Sequence, residues 1–336
     1  PKLTSPPLAA LAQPASQIKP FAGLPDVLDF PRDIQPILDQ HCVECHCYQR
    51  RDGGVLLTGD LSQTWSHAYY HLLAHRQVAD GRNGLGNSAP RSVGSAASPL
   101  LDKLKGGHYD VQATDHQWRT VWMWIESGAP YAGSYAGLRN AEDQAIDSRA
   151  MWEPLAACSD LFERRCTECH AVGTVTPGTG GAFPFNPHHS VPGKKRCNRG
   201  VERDTGAHER IVLENDPLTK YSPQILVNLT RPHLSPLLLA PLAKDAGGWG
   251  CCGDVFGDRA DPDYQRVLQA LKNGKQLADQ RPRYGAPDFR PNRQYVRELK
   301  KYGVLSSDFD IDQTPIDIFA ADQAYWRTYW LSAEGH

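Results

Sequence analysis

The sequence predicts a mainly α-helical fold made of short helices and long ordered loops. Three observations support this prediction. The 336 residues include 29 glycines and 26 prolines, which interrupt regular structure often. Apolar residues recur at helical spacing in several segments. A short unit is also repeated within the chain. With 40% hydrophobic and 22% charged residues, the chain has enough apolar side chains to bury real cores.

Helix signals occur in order along the chain. A short helix from Phe30 leads into the first cysteine, and Asp60 is expected to cap a helix from Leu61 to about Val78. Further helices are predicted from Ser98 onward, over roughly Asp115 to Ser127, and near Tyr264–Asn273, Asn292–Tyr302 and Ile316–Leu331.

The composition divides the chain into four parts. Residues 1–28 are rich in Pro, Ala and Ser and are interpreted as an extended arm or linker. Residues 29–135 form a first domain, 136–150 a linker, and 151–336 a second domain with C-terminal helices.

The repeated unit contains the motif C-x-x-C-H. PILDQHCVECH and DLFERRCTECH align at a constant offset of 124 residues. The motif residues are Cys42, Cys45 and His46 in the first copy, and Cys166, Cys169 and His170 in the second. By chance, roughly 1 chain in 100 of this composition would contain one such motif. Two copies, each after a similar helix, make coincidence remote. Structural zinc typically needs two C-x-x-C pairs close together. The sequence therefore predicts two covalently bound c-type haems, one in each predicted domain. Residues 29–135 and 151–336 are accordingly expected to be two c-type cytochrome-like haem domains.

The spacing of the motif has a mechanical reason. Two thiols three positions apart lie on one side of a helical turn and can both add to the haem vinyl groups. The next residue is a histidine, which lies under the iron as its proximal ligand. Covalent attachment of this kind takes place outside the cytoplasm, so we expect a periplasmic or extracellular protein.

The second axial ligand of each iron is less well determined by the sequence. Only Met123 and Met151 could act as thioether ligands, which leaves histidine, tyrosine or an open site. For the first haem we favour His108, which follows two glycines in a loop. His71 is the runner-up. His67, His71 and His75 stand at every fourth position, beside the apolar stripe of a predicted helix, which suggests that they face solvent or a partner.

For the second haem, the favoured distal ligand is His233. It lies between prolines in an apolar stretch, a rigid setting that suits a ligand. His208 is the runner-up.

Five cysteines lie outside the motifs: Cys47, Cys158, Cys197, Cys251 and Cys252. In an oxidising compartment such residues form disulfides, and an odd number leaves one unpaired or bound to another chain. Pairing of Cys197 with Cys251 or Cys252 is one arrangement, and the sequence does not determine the connectivity.

The charge and hydropathy exclude two classes of partner. A net charge of −2 provides no field that would attract nucleic acid. No run of about 20 apolar residues exists to form a transmembrane helix.

Several segments also resemble a known family. FPRDIQPILDQHCVECH resembles the haem-binding opening of planctomycete-type cytochrome c domains. GRNGLGNSAPRSVGS, GGHYDV, WIESGAPYAGSYAGL and NLTRPHLSPLLLAPLAKDAGGWG resemble the C-terminal di-haem region of hydrazine synthase alpha subunits, as do DPDYQRVLQAL and FRPNRQYVRELKKYGVL. The resemblance covers about residue 30 to the end. It implies one catalytic haem with a tyrosine ligand and a nearby zinc, and one bis-histidine haem that transfers electrons. Carried onto this chain, it makes Tyr48 a candidate iron ligand and His46 a candidate zinc ligand.

Three functions are compatible with these patterns. The favoured one is an electron-transferring di-haem cytochrome within a larger multihaem assembly, with other redox proteins or identical subunits as partners. The alternative is a hydrazine synthase-like enzyme whose five-coordinate first haem acts on small nitrogen compounds. The third is a mainly structural subunit, in which the haems keep the chain ordered.

Overall fold

The computed structural model describes residues 23–25, 27–79, 89–138, 149–150, 153–170 and 226–328. These parts are mainly helical, and their only β-pairing is in isolated bridges such as Lys105 with Gln112. The prediction of a mainly α fold is therefore confirmed. The predicted arm up to residue 22, together with Met151, Cys197 and His208, lies outside the described residues. Among the described helices, none is both long and apolar enough to cross a membrane.

The chain enters the first core through a π-helical turn, Phe30–Ile34, which continues into helix α1, Gln35–His41. Asp29 caps the turn by accepting a hydrogen bond from the Arg32 N–H at 3.3 Å. Phe30 and Ile34 are completely buried, so this segment is anchored by its apolar face.

Helix α2, His67–Ala74, is shorter than the sequence predicts. Ser66, and not Asp60, is its N-cap, and the Ser66 hydroxyl accepts a hydrogen bond from the Tyr69 N–H. Asp60 is instead bound by Arg231 from far along the chain. Asp60 therefore forms a tertiary ion pair and not the predicted helix cap.

Helices α3, Pro99–Lys103, and α4, Asp115–Glu126, complete the first core. The observed α4 matches its predicted bounds within one residue. Thr114 and Gln117 form a reciprocal capping box at its start. Trp124 is fully buried and tilts against Phe30 at a ring-centroid distance of 5.4 Å.

Helices α5, Ser159–His170, α6, Pro236–Leu239, and α7, Pro262–Asp279, form a second core. Its completely buried members include Leu161, Leu238 and Val267. Asp261 caps α7 by accepting hydrogen bonds from the N–H groups of Asp263 and Tyr264.

Helices α8, Arg293–Lys301, and α9, Ile318–Arg327, form a third, smaller core. This region packs back on the first core. The Tyr284 hydroxyl donates to Asp29 at 2.6 Å, and the Arg32 guanidinium lies 3.9 Å from the centre of the Phe319 ring. The predicted second domain, residues 151–336, is thus divided between two cores.

Candidate haem-binding sites

The first motif is a compact turn directly after α1. The Cys42 N–H donates to Leu38 O at 2.8 Å, and the His46 N–H donates to Cys42 O at 3.0 Å. On its other side, His46 O accepts a hydrogen bond from the Leu57 N–H at 2.9 Å. These bonds fix the backbone of the motif on both sides of the histidine.

The two motif thiols are reduced and partly buried. Burial, with the nearby Cys45 and Asp39, raises the pKa of the Cys42 thiol to about 11. At neutral pH this thiol is therefore protonated. Neither Cys42 nor Cys45 is in a disulfide bond, so both sulfur atoms are available for thioether formation.

His46 and His108 lie next to each other at the candidate site. Their rings are nearly parallel, with an interplanar angle of 16°, and their centroids lie 6.0 Å apart. A metal–imidazole nitrogen bond is about 2 Å long, so two rings that share one metal from opposite sides have centroids roughly 6 Å apart. The buried Nδ1 of His46 has no hydrogen-bond partner in the described part of the chain.

A tight loop presents His108. The Gly106 N–H donates to Val111 O at 2.7 Å, and the Val111 N–H donates to His108 O at 3.0 Å. A Cβ atom at Gly107 would lie 2.6 Å from Asp102 O, so only glycine fits there. Partial burial, Lys103 and His46 lower the pKa of His108, which leaves the imidazole neutral and able to bind a metal.

The histidines of α2 correct an expectation from the sequence. His67 is completely buried and His71 almost so, whereas the apolar stripe beside them had suggested a solvated flank. Burial lowers the pKa of both imidazoles, that of His71 the more strongly. The Leu56 N–H donates to His71 Nδ1 at 3.3 Å, while His71 Nε2 has no partner among the described residues. His46 is one of the groups that lower the pKa of His71, so the two imidazoles lie near each other and His71 remains the runner-up ligand.

Tyr48 lies in a different environment from the one the resemblance implies. It is 3% exposed, and its hydroxyl accepts a hydrogen bond from the Asn228 side-chain amide at 2.8 Å. Its backbone oxygen accepts one from Trp249 Nε1 at 2.8 Å. Burial and the neighbouring Asp60 raise the pKa of Tyr48 well above its usual value. The phenol is therefore neutral and its oxygen is engaged in a buried network.

That network is the part of the site that the sequence reasoning missed. Asn228 donates to Asp60 at 2.9 Å as well as to Tyr48, and Arg231 donates to Asp60 at 2.7 Å. Burial alone raises the pKa of Asp60, but Arg231 and Asn228 lower it overall. His67 Nε2 also lies 3.1 Å from Val227 O, so the segment 226–235 is attached at several points. The only hint in the sequence was Asp60, which was predicted to cap a helix and instead binds Arg231.

Within the described residues, no group of three or more His, Cys, Asp or Glu side chains could hold a metal ion. The zinc that the resemblance assigns to His46 therefore stays an expectation.

The second motif lies within helix α5, which extends to His170. Cys166 is partly buried against the second core. The helix is fixed just before the motif, because Arg165 donates to Asp263 at 2.9 Å and to Val255 O at 2.8 Å. Arg164 also donates to Asp263 at 3.1 Å. The side chains of Cys169 and His170 lie outside the described residues.

The sequence predicts a rigid, apolar setting for His233, and the structure places its side chain at the surface. It lies in a 3₁₀ turn, Pro232–Leu234, and its side chain is exposed. Desolvation, Arg231 and Arg259 lower its pKa, so the imidazole is neutral. The turn packs against α7, the helix that also holds α5.

The remaining described cysteines occupy separate places. Cys47 donates weakly to Glu44 O at 3.6 Å, and the buried Cys158 lies 3.8 Å from Arg266 O. The exposed Cys251 accepts a hydrogen bond from Arg51 at 3.3 Å.

No protein-family model, no curated protein and no solved structure matches this chain.

Proposed function

We propose that this chain is an extracytoplasmic di-haem c-type cytochrome that transfers electrons. The observation that carries the proposal is the pair His46 and His108. Their rings lie nearly parallel with centroids 6.0 Å apart, and His46 belongs to the same motif as Cys42 and Cys45. A second C-x-x-C-H at Cys166 supports a second haem.

The residues of the first site fit a c-type haem. Cys42 and Cys45 provide two reduced thiols for thioether bonds, and the imidazoles of His46 and His108 would hold the iron. Among the described residues, the buried Nδ1 of His46 has no hydrogen-bond partner, which agrees with a ring whose contacts are completed by a bound group. A bound haem would supply one-electron redox chemistry.

The ligand arrangement favours an electron carrier over the enzyme alternative. Two histidines on one iron would leave it no open position for a substrate. The tyrosine that would ligate the catalytic haem in the hydrazine synthase-like alternative has its hydroxyl hydrogen-bonded to Asn228. Histidine-ligated haems have lower potentials than Met/His haems, so we expect a low-potential carrier.

For the second haem, the proposal assigns Cys166, Cys169 and His170, with His233 as distal ligand and His208 as runner-up. The support for His233 is its neutral imidazole on a turn that packs against α7, to which the motif helix α5 is also bound. Because covalent haem attachment takes place outside the cytoplasm, the proposed location is the periplasm or the cell exterior. The protein's partners are then other redox proteins or identical subunits of a multihaem assembly.

Optical spectra of the full chain, matured with haem, test this function. We expect two haems per chain, both low-spin when reduced, and a spectrum unchanged by carbon monoxide or nitric oxide. A high-spin haem that binds these gases would refute the carrier and support the enzyme. A chain that matures without covalent haem would refute both.

A further inference from the structure

Cys251 and Cys252 are adjacent cysteines that belong to neither haem motif. Neither is in a disulfide bond; Cys251 is exposed and Cys252 is partly buried. Two other cysteines lie elsewhere: the Cys47 thiol is 3.6 Å from Glu44 O, and Cys158 is buried in the second core. Among the described cysteines outside the motifs, Cys251 and Cys252 are therefore the two that the chain itself holds next to each other.

A tight turn contains the two cysteines. Both of their N–H groups donate to one acceptor, Ala240 O, at 2.8 and 3.3 Å. Gly250 and Gly253 flank the pair with φ of +56° and +71°, left-handed values that glycine adopts without strain. In an extended strand, successive side chains point to opposite faces. A turn is therefore the backbone in which two adjacent thiols can meet.

The Cys251 thiol has polar neighbours on two sides. Arg51 Nη2 donates to Cys251 Sγ at 3.3 Å, and the Cys251 S–H donates to Trp249 O at 3.7 Å. Thiol–disulfide exchange begins with attack by a thiolate. A thiolate formed at Cys251 would accept a charge-assisted hydrogen bond from the Arg51 guanidinium. Its exposure and this donor suit Cys251 to the attacking role.

We propose that Cys251 and Cys252 form a redox-active dithiol, which small disulfide compounds oxidise to a disulfide between the two neighbours. In the first step, the Cys251 thiolate attacks the oxidant, forms a mixed disulfide with it and releases one thiol. In the second step, the Cys252 thiolate attacks the Cys251 sulfur and releases the second thiol. The two cysteines together lose two electrons and two protons, and the oxidant takes up both as it becomes two thiols.

The resulting bond would be easier to reduce than a structural disulfide. The Cα atoms of adjacent residues lie about 3.8 Å apart across a trans peptide, closer than the roughly 4.4–6.8 Å that is usual for disulfides. Such a geometry strains the bond, and strained or exposed disulfides are the labile ones. The pair is therefore suited to reversible exchange and not to holding the fold together.

The dithiol adjoins the first haem motif. Trp249 Nε1 donates to Tyr48 O at 2.8 Å, and the Arg51 guanidinium lies 3.9 Å from the centre of the Trp249 ring. Oxidation removes the S–H of Cys251 and with it the hydrogen bond to Trp249 O. The thiol chemistry itself needs no haem, so this proposal goes beyond the proposed function and does not depend on it.

Peptide mass mapping of the haem-loaded full chain tests the proposal. The chain is reduced with dithiothreitol, freed of the reductant, incubated with oxidised glutathione and then alkylated with iodoacetamide. One tryptic peptide, residues 245–259, contains Cys251 and Cys252 and no other cysteine. We expect this peptide to lose two hydrogen atoms in mass and to take up no alkyl group. After a second reduction it should take up two.

Two variants separate the roles of the sulfur atoms. Cys252→Ser lacks the second thiol, so the reaction should stop at a mixed disulfide between Cys251 and glutathione. Cys47→Ser is the matched control, because it removes another partly buried thiol beside the first motif and keeps the pair. Its peptide should oxidise as the wild-type peptide does.

Three results would overturn the proposal. The first is a wild-type peptide that still takes up two alkyl groups after incubation with oxidised glutathione. The second is a disulfide that joins this peptide to Cys47, Cys158 or Cys197. The third is a mixed disulfide with glutathione that persists in wild type as it does in Cys252→Ser.

Discussion

The two C-x-x-C-H motifs have the same spacing and follow similar helices, yet their backbones differ. Helix α1 ends at His41, so the first motif is a turn whose His46 O is bound by the Leu57 N–H. Helix α5 continues through the second motif to His170. The motif itself therefore does not determine its backbone conformation; the contacts around it do.

The two regions also differ in what supports them. The first motif is followed by Tyr48, whose surroundings come from more than 170 residues away, through Asn228, Arg231 and Trp249. The second is supported by α7, through Arg165 and the acidic residues at the start of that helix. Polar contacts from loop residues far along the chain thus stabilise the first region. Ion pairs between two helices, α5 and α7, stabilise the second.

Loss of the motif cysteines should have the largest effect. We expect Cys42→Ser with Cys45→Ser to remove one of two covalent haems, because thioether bonds cannot form. Cys166→Ser with Cys169→Ser should remove the other. Haem content per chain, measured by the pyridine haemochrome method, should fall by half in each. Loss of both haems from either variant would show that the two sites are not separate.

Removal of Asp60 should destabilise the first region strongly. Its carboxylate is 7% exposed and receives hydrogen bonds from Arg231 and Asn228. Asp60→Ala leaves the buried Asn228 amide and the half-exposed Arg231 guanidinium without their acceptor, so we expect about 1–3 kcal/mol lower free energy of unfolding. Asp52→Ala removes an exposed ion pair with Arg50 and should cost under about 0.5 kcal/mol. Denaturant unfolding measures both.

The same carboxylate predicts a pH dependence. Its folded pKa is lowered, so its contribution is complete above the unfolded pKa of about 3.9 and is lost as pH falls through the folded pKa. Wild type should lose stability below about pH 4 more steeply than Asp60→Ala. Parallel curves would contradict this assignment.

Arg165 provides the corresponding test of the second region. Its ion pairs with Asp261 and Asp263 are partly buried, so Arg165→Met should lower the free energy of unfolding by about 1–2 kcal/mol. Arg266→Met removes an exposed pair with Asp160 between the same two helices and serves as the matched control. Equal effects of the two variants would argue against a special role for Arg165.

Tyr48→Phe should have the smallest effect. The change deletes one hydroxyl that accepts from the buried Asn228 amide, so we expect a loss of about 1 kcal/mol and an unchanged haem spectrum. A shifted spectrum of the first haem would instead support tyrosine as an iron ligand.

The sequence predicted much of this arrangement where signals are local. The bounds of α4 follow from the Thr114 cap and the apolar spacing, and the glycines before His108 serve the tight loop. The sequence-based predictions were less successful where contacts between residues far apart in the chain determine the local structure. Asp60 binds Arg231 and does not cap the predicted helix. His67 and His71 are buried because the segment 226–235 and Leu56 pack over them. A single sequence contains no spacing that reveals such pairings.

The most direct test of the central claim is the ligation of the first haem by His108. The full chain should show two low-spin haems, and His108→Ala should convert one of them to a high-spin form that binds carbon monoxide. His116→Ala, an exposed histidine on α4, should leave both spectra unchanged. Magnetic circular dichroism of the oxidised proteins distinguishes these states. Two unchanged low-spin haems in His108→Ala, or the same conversion produced by His71→Ala alone, would contradict the account.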